Sequence, residues 1–178
     1  MGAQSVSDDV YPRDITPPAG TQYPCALTAL PRSLPGIPEA DRAYINRTYA
    51  RVLRATHAKL VLLKALEEKR DLGTALAHYQ DATRQVASKL GGDQPPDGLT
   101  PFQEDVRQAL ALQQAFFAKA VPLRESGAAM AQVYQIGEGR QASARLISAW
   151  GRMQARYVAW SADTRDSIFH HLCALDLF

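Results

Sequence analysis

Seven of the eleven prolines fall within the first 38 residues, and that partition decides what each part of the chain can become. Pro12, Pro17, Pro18, Pro24, Pro31, Pro35 and Pro38 each lack a backbone donor and push the preceding residue out of the helical region. The segment they occupy is therefore neither helix nor central strand. Residues 1–22 are polar and are expected to form a mobile leader. In residues 23–37, Tyr23, Leu27, Leu30, Leu34 and Ile37 stand between the prolines. That stretch is expected to lie extended, as a strap on an apolar surface of the single domain formed by 23–178.

From Pro38 onward the apolar residues recur at spacings of three and four, which marks buried helix faces. A first helix over about 38–71 carries Ile45, Tyr49, Val52, Thr56, Leu60 and Leu63 on one face. Glu39 and Asp41 favour its start by placing negative charge at the positive end of the helix dipole, and Gly73 is expected to break the chain after it. A shorter helix over about 74–90 is striped by Leu72, Leu76, Tyr79, Thr83, Val86 and Leu90, and Gly91–Gly98 reads as a loop. Thr100-Pro101-Phe102-Gln103 reads as a capping box opening a third helix over about 101–136. Pro122 should kink that helix, because the interior loses one hydrogen bond there. A fourth helix over about 140–176 shows the cleanest period: Leu146, Trp150, Met153, Tyr157, Trp160, Thr164, Ile168, His171 and Leu175.

No segment alternates with period two, so the expected class is all-α: an antiparallel up-and-down four-helix bundle with a short second helix. The second helix, about 25 Å long at 1.5 Å per residue, leaves one half of such a bundle short of a wall. The strap is the natural cover, and Val61 and Leu62 make the first helix apolar on more than one side near its end.

Composition narrows the function classes. Apolar content of 46% and charged content of 21% suit a globular chain. A net charge of +2 is too mild for the basic face that nucleic-acid binding needs, so no nucleic-acid partner is expected. No apolar run is long enough for a transmembrane segment. The N-terminus lacks a basic start followed by an apolar core, and Val6 spoils the myristoylation pattern. Two readings follow: a cytoplasmic chain as written, or a mature periplasmic or secreted chain to which Met1-Gly2 has been added.

The two cysteines bear on that choice. Cys25 lies in the strap and Cys173 near the C-terminus, with 147 residues between them. One disulfide between them would fit an oxidising compartment and favours the exported reading. On a continuous helix of 100° per residue, Cys173 projects away from the apolar stripe, so the bridge is expected to tie the strap across the outside. Asp166, His170 and Cys173 share a face and could form an activated thiolate or a ligand set. Helical spacing makes such triplets readily, so the bridge and an ordinary surface pair are favoured.

Other chemistry is thin. None of His57, His78, His170 and His171 follows an acid by three residues, which disfavours a di-metal carboxylate site. Cys-x-x-Cys-His, Gly-x-Ser-x-Gly and phosphate-loop patterns are absent. No metal and no cofactor is expected. Arg47, Arg51 and Arg54 line the outer side of the first helix, and Arg145, Arg152 and Arg156 one flank of the fourth. Either set could meet an acidic partner, a phosphate-rich ligand or an anionic membrane surface, although a solvated face is the ordinary reading.

The leading expectation is a non-enzymatic bundle that binds another macromolecule, a protein partner, outside the cytoplasm. The alternative is a small-ligand or cofactor-binding bundle, with an aromatic pocket of Phe116, Phe117, Trp150, Met153, Tyr157 and Trp160 beside the Pro122 kink. Ordinary core packing is the simpler account of those aromatics.

Overall fold

A computed structural model describes Cys25 and residues 30–177. Its described residues are all-helical, with no strand. Six helices follow in order: α1 Glu39–Glu68, α2 Leu72–Gly91, α3 Thr100–Glu125, α4 Met130–Val133, α5 Gly137–Arg156 and α6 Ala162–Cys173. Packing runs α1 on α2, α2 on α3, and α3 on α5. The α3–α5 pair is antiparallel: Asp105 near the start of α3 meets Arg152, and Lys119 near its end meets Glu138.

The 30-residue α1 is the central element. Tyr44, Ile45, Tyr49, Leu53, Leu62 and Leu66 are all buried around its circumference. Its expected outer arginine face does not exist as such. Arg51 is buried, its guanidinium 2.7 Å from Asp93 and donating to the Lys89 carbonyl. Arg47 reaches the same carboxylate at 3.3 Å. The α2–α3 loop thus covers that side, and only Arg54 remains exposed.

Three expected boundaries move, each for a local reason. Gly73 does not break the chain; it is the second residue of α2. The reversal is made instead by Lys69 and Asp71, both left-handed at φ 53° and 55°. The expected capping box at Thr100 does not form: Leu99 caps α3, and the Gln103 amide instead donates to the Leu90 and Asp93 carbonyls, tying α3 to the end of α2. The third helix does not continue to residue 136. Pro122 lies one turn from its end, and the chain leaves through Gly127 at φ +101°. Arg124 fixes that corner by donating to the carbonyls of Leu66, Glu67 and Ala128.

The fourth expected helix is two helices. Tyr157 leaves helical geometry at φ −109°, ψ 60°, and residues 158–160 turn. Ser161 then caps α6, its hydroxyl accepting from the Thr164 backbone at 3.1 Å. Gly36 makes the turn possible. At φ +89°, a Cβ there would stand 2.5 Å from the Trp160 Cα, so only glycine lets residues 34–37 approach this closely.

Within the described part of the expected strap, Leu30 and Leu34 are buried in the core that Tyr49, Phe102, Leu146 and Ile168 also build. The Leu30 N–H donates to Asn46 Oδ1 at 3.0 Å, and the Pro35 carbonyl accepts from the Thr164 hydroxyl. Tyr23 and Leu27, together with the leader 1–22, lie outside the described residues. A second apolar cluster, built on Leu62, Leu66, Tyr79, Phe116, Phe117 and Val133, fills the other half of the fold.

Candidate functional site

Two places in the fold collect side chains with chemical potential, and they differ in what surrounds them. The first is internal. Because the chain reverses after Tyr157, α6 runs back along α5 and its C-terminal residues enter the core. Lys59 Nζ donates to the carbonyls of Ala174, at 3.1 Å, and Asp176. Gln113 Nε2 donates to the Leu175 carbonyl at 2.7 Å, and the Ser143 hydroxyl to Asp176 Oδ1 at 2.6 Å. Leu177 reaches the second cluster. The tail is a plug held by one side chain each from α1, α3 and α5.

Burial draws the Lys59 ammonium down from its usual 10.5 to about 8, and the nearby Asp176 carboxylate opposes that shift. A depressed lysine is a familiar form of catalytic base. The cavity beside it, however, is only about 10 Å³, lined by Lys59, Tyr79, Thr83 and Gln113 among others. That volume admits nothing larger than a water molecule. Lys59 is an architectural cation.

The Cys25 and Cys173 sulfurs lie at bonding distance next to the plug, with Cα atoms 5.5 Å apart. Both residues are half-buried and Cys25 packs against the core, so the link sits closer to the interior than a purely external tie. With its sulfur engaged, Cys173 is no thiolate for His170. Asp166 lies 3.5 Å from Arg165, and both Asp166 and His170 are exposed. His171 is an interior histidine: its Nδ1–H donates to the Ser167 carbonyl at 2.6 Å and its ring lies 5.7 Å from that of Tyr49.

The arginines expected to form a binding flank point to two buried aspartates. Asp105 on α3 receives Arg152 at 2.8 Å and Arg145 at 3.8 Å. Asp41 on α1 accepts from Arg156 Nε at 3.0 Å and from the Tyr157 hydroxyl at 2.6 Å. Burial, with the bond to Asp41, holds the Tyr157 phenol well above its usual range. These contacts lock α5 to α3 and α1. The sequence signal was present in Asp41 and Asp105, two acids within the buried stretches of their helices, but no local pattern names their partners.

The expected aromatic pocket divides. Phe117 meets both Phe116 and Tyr79 edge-on in the second cluster. Trp150, Met153, Tyr157 and Trp160 stay together in the first. Tyr157, Trp160, Trp150 and Phe169 form a ladder with ring centroids 5.8, 5.4 and 5.4 Å apart, running from buried Tyr157 to half-exposed Phe169.

The second place is external, on the side of α5 turned away from the core. There Tyr134, Arg140, Ser143, Ala144 and Ile147 line an apolar groove of about 590 Å³. A groove of similar volume lies across Ala144, between α5 and α3, lined by Gln108, Leu112, Gln141 and Ser148 among others. Ile147 is 68% exposed, and Val158, just beyond the helix, is 84% exposed. Arg145 is the sequence-named binding candidate that lines this surface, at the second groove; the others around it, such as Ala144 and Ile147, lie between the stripe positions and follow no pattern that marks them.

Among the described residues, no three His, Cys, Asp or Glu side chains gather as a metal site, and no helix is long and apolar enough to cross a membrane. No protein-family model, curated protein or solved structure matches the chain.

Proposed function

We propose that this chain is a non-enzymatic helical protein that acts by binding another macromolecule through the outer face of α5. The observation that carries the reading is the pair of grooves meeting at Ala144 beside the exposed Ile147. Each has the volume of a small-molecule site, but exposed residues line them, whereas a drug-sized ligand is usually buried over most of its surface. Open apolar relief of this kind suits the side chains of a protein partner. The mild net charge of +2 gives no support to nucleic acid.

The scaffold is read as an up-and-down bundle of α1, α2, α3 and α5, closed on its remaining side by α6 and the proline-rich strap. The cysteine pair favours a compartment outside the cytoplasm, where such a bond persists. Titration of the unfolded chain should then find no thiol before reduction and two after; two thiols throughout would remove that part of the reading.

The binding test compares wild type with Ile147→Glu as baits in secreted or periplasmic extract. A protein retained by the first and lost from the second is the expected result, and identical capture by both would sink the proposal. The aromatic ladder supports a second, small-ligand reading. A coloured preparation or stoichiometric metal would favour it over the first.

A further inference from the structure

The tail plug closes over an internal cavity of about 10 Å³, where α1, α2 and α3 meet the C-terminal residues. Its wall is chemically uneven. Val52, Ala55, Leu110 and Leu175 make part of it apolar, while Thr56 from α1 and Tyr79 and Thr83 from α2 add hydroxyl-bearing side chains.

Those hydroxyls are not equivalent. Thr83 donates to the Tyr79 carbonyl at 2.8 Å, and Thr56 to the Val52 carbonyl at 3.5 Å, each reaching one turn back along its own helix. Both have committed their proton to the backbone and keep oxygen lone pairs that can accept. Tyr79 is the reverse case. It is 1% exposed, and its hydroxyl has no hydrogen-bond partner among the described residues. Burial holds that phenol above its usual range, so it stays a neutral O–H in need of an acceptor. A buried hydroxyl left in that state would lose the hydrogen bond it makes to solvent in the unfolded chain, and folded proteins rarely tolerate this.

A donor without an acceptor beside two hydroxyls with lone pairs is an arrangement that one small amphoteric molecule completes. We infer that the cavity is a binding site for a single ordered water, which accepts the Tyr79 Oη–H and donates to the threonine hydroxyl oxygens. That gives the water up to three bonds, in the usual range for a buried water, and the volume suits one such molecule. A wholly apolar cavity would stay dry; this one has the polar partners that retain a water. A metal cation would be repelled by the Lys59 ammonium, which lines the same cavity, and chloride is larger than water and would face the threonine lone pairs.

The Lys59 ammonium and the Gln113 amide donate to the tail carbonyls, so the water is held by the hydroxyls and not by these two groups. It ties α1 to α2 beneath the plug. Leu175 completes the wall, so the enclosure is whole only with the tail seated. The site is independent of whatever binds the outer face of α5.

The direct test is a crystal structure of the full chain, disulfide intact, at a resolution that shows ordered water. A single round density peak is expected about 2.5–3.0 Å from Tyr79 Oη and from at least one of the Thr56 and Thr83 hydroxyls. No peak within reach of Tyr79 Oη, or a protein group hydrogen-bonded to that oxygen in its place, overturns the proposal. Urea unfolding of Tyr79→Phe gives a second readout, in which the two cases differ in sign. The ring and its edge-on contact with Phe117 are kept, so the variant should fold. With the water in place, the substitution removes one buried hydrogen bond, and the folding equilibrium constant should fall about fivefold. With the hydroxyl unsatisfied, the same substitution relieves a buried polar group. A constant that is unchanged or raised would therefore also overturn the proposal.

Discussion

The two sides of α5 use their residues in opposite ways. On the inner side, the polar groups are spoken for: Asp105 by two arginines, Asp41 by Arg156 and Tyr157, and the tail carbonyls by Lys59 and Gln113. On the outer side, Ala144, Ile147 and Gly151 form an exposed row of small or apolar residues. The inner chemistry is therefore consumed in positioning helices, and the proposed binding face is the one whose residues are chemically plain. Substitutions inside should cost stability, and substitutions outside should cost association alone.

The largest effect should come from opening the Cys25–Cys173 link. It closes a loop of 148 positions, and in the chain-entropy picture such a closure contributes up to about 5 kcal/mol. Urea unfolding of the Cys25→Ser/Cys173→Ser variant should show a midpoint well below that of the oxidised protein. Equal midpoints would mean the tail plug holds without it.

Gly36→Ala comes next, with an expected loss of about 3 kcal/mol by thermal or urea unfolding, since it adds both left-handed strain and a clash with the Trp160 backbone. A neutral result would show that the turn at residues 158–160 can shift away from residues 34–37.

Lys59 gives a smaller, pH-resolved effect. Its folded pKa of about 8 lies below the 10.5 of an exposed lysine, so the unfolded chain binds more protons between those values. Stability should therefore rise with pH, by about 1 kcal/mol between pH 8 and 9, below the range in which tyrosines of the unfolded chain titrate. Lys59→Met should lack that rise; the same slope in both proteins would mean another group is responsible.

Smallest of all should be the effect of Ile147→Ser on the unfolding free energy of the single chain, within about 0.5 kcal/mol. A large loss there would erase the contrast between the two sides by showing that the outer face is also structural.

The reversal at Tyr157 shows how a helical pattern can be correct and still mislead. Tyr157, Trp160, Thr164 and Ile168 keep spacings of three and four straight through the turn, so periodicity reads one helix where there are two. Tyr157, Thr164 and Ile168 are buried and Trp160 packs on the same core, because α5 and α6 face it from adjacent sides. The local cue was Ser161 before Asp163, a cap and an acid at a helix start. Gln103 is the converse case. Its side chain could have closed a local box, but it donates instead to the carbonyls of Leu90, at the end of α2, and Asp93 in the following loop.

The sequence by itself determined the helical class and most of the buried stripes, because burial periods and proline sterics are local properties. Only the tertiary structure decided where the last helix turns back, which acid each arginine meets and which face of α5 is left open. Those outcomes depend on residues more than a hundred positions apart, such as Asp41 with Arg156 and Lys59 with Ala174. Only the packed chain brings such pairs together, and only then does the exposed row of Ala144, Ile147 and Gly151 stand out.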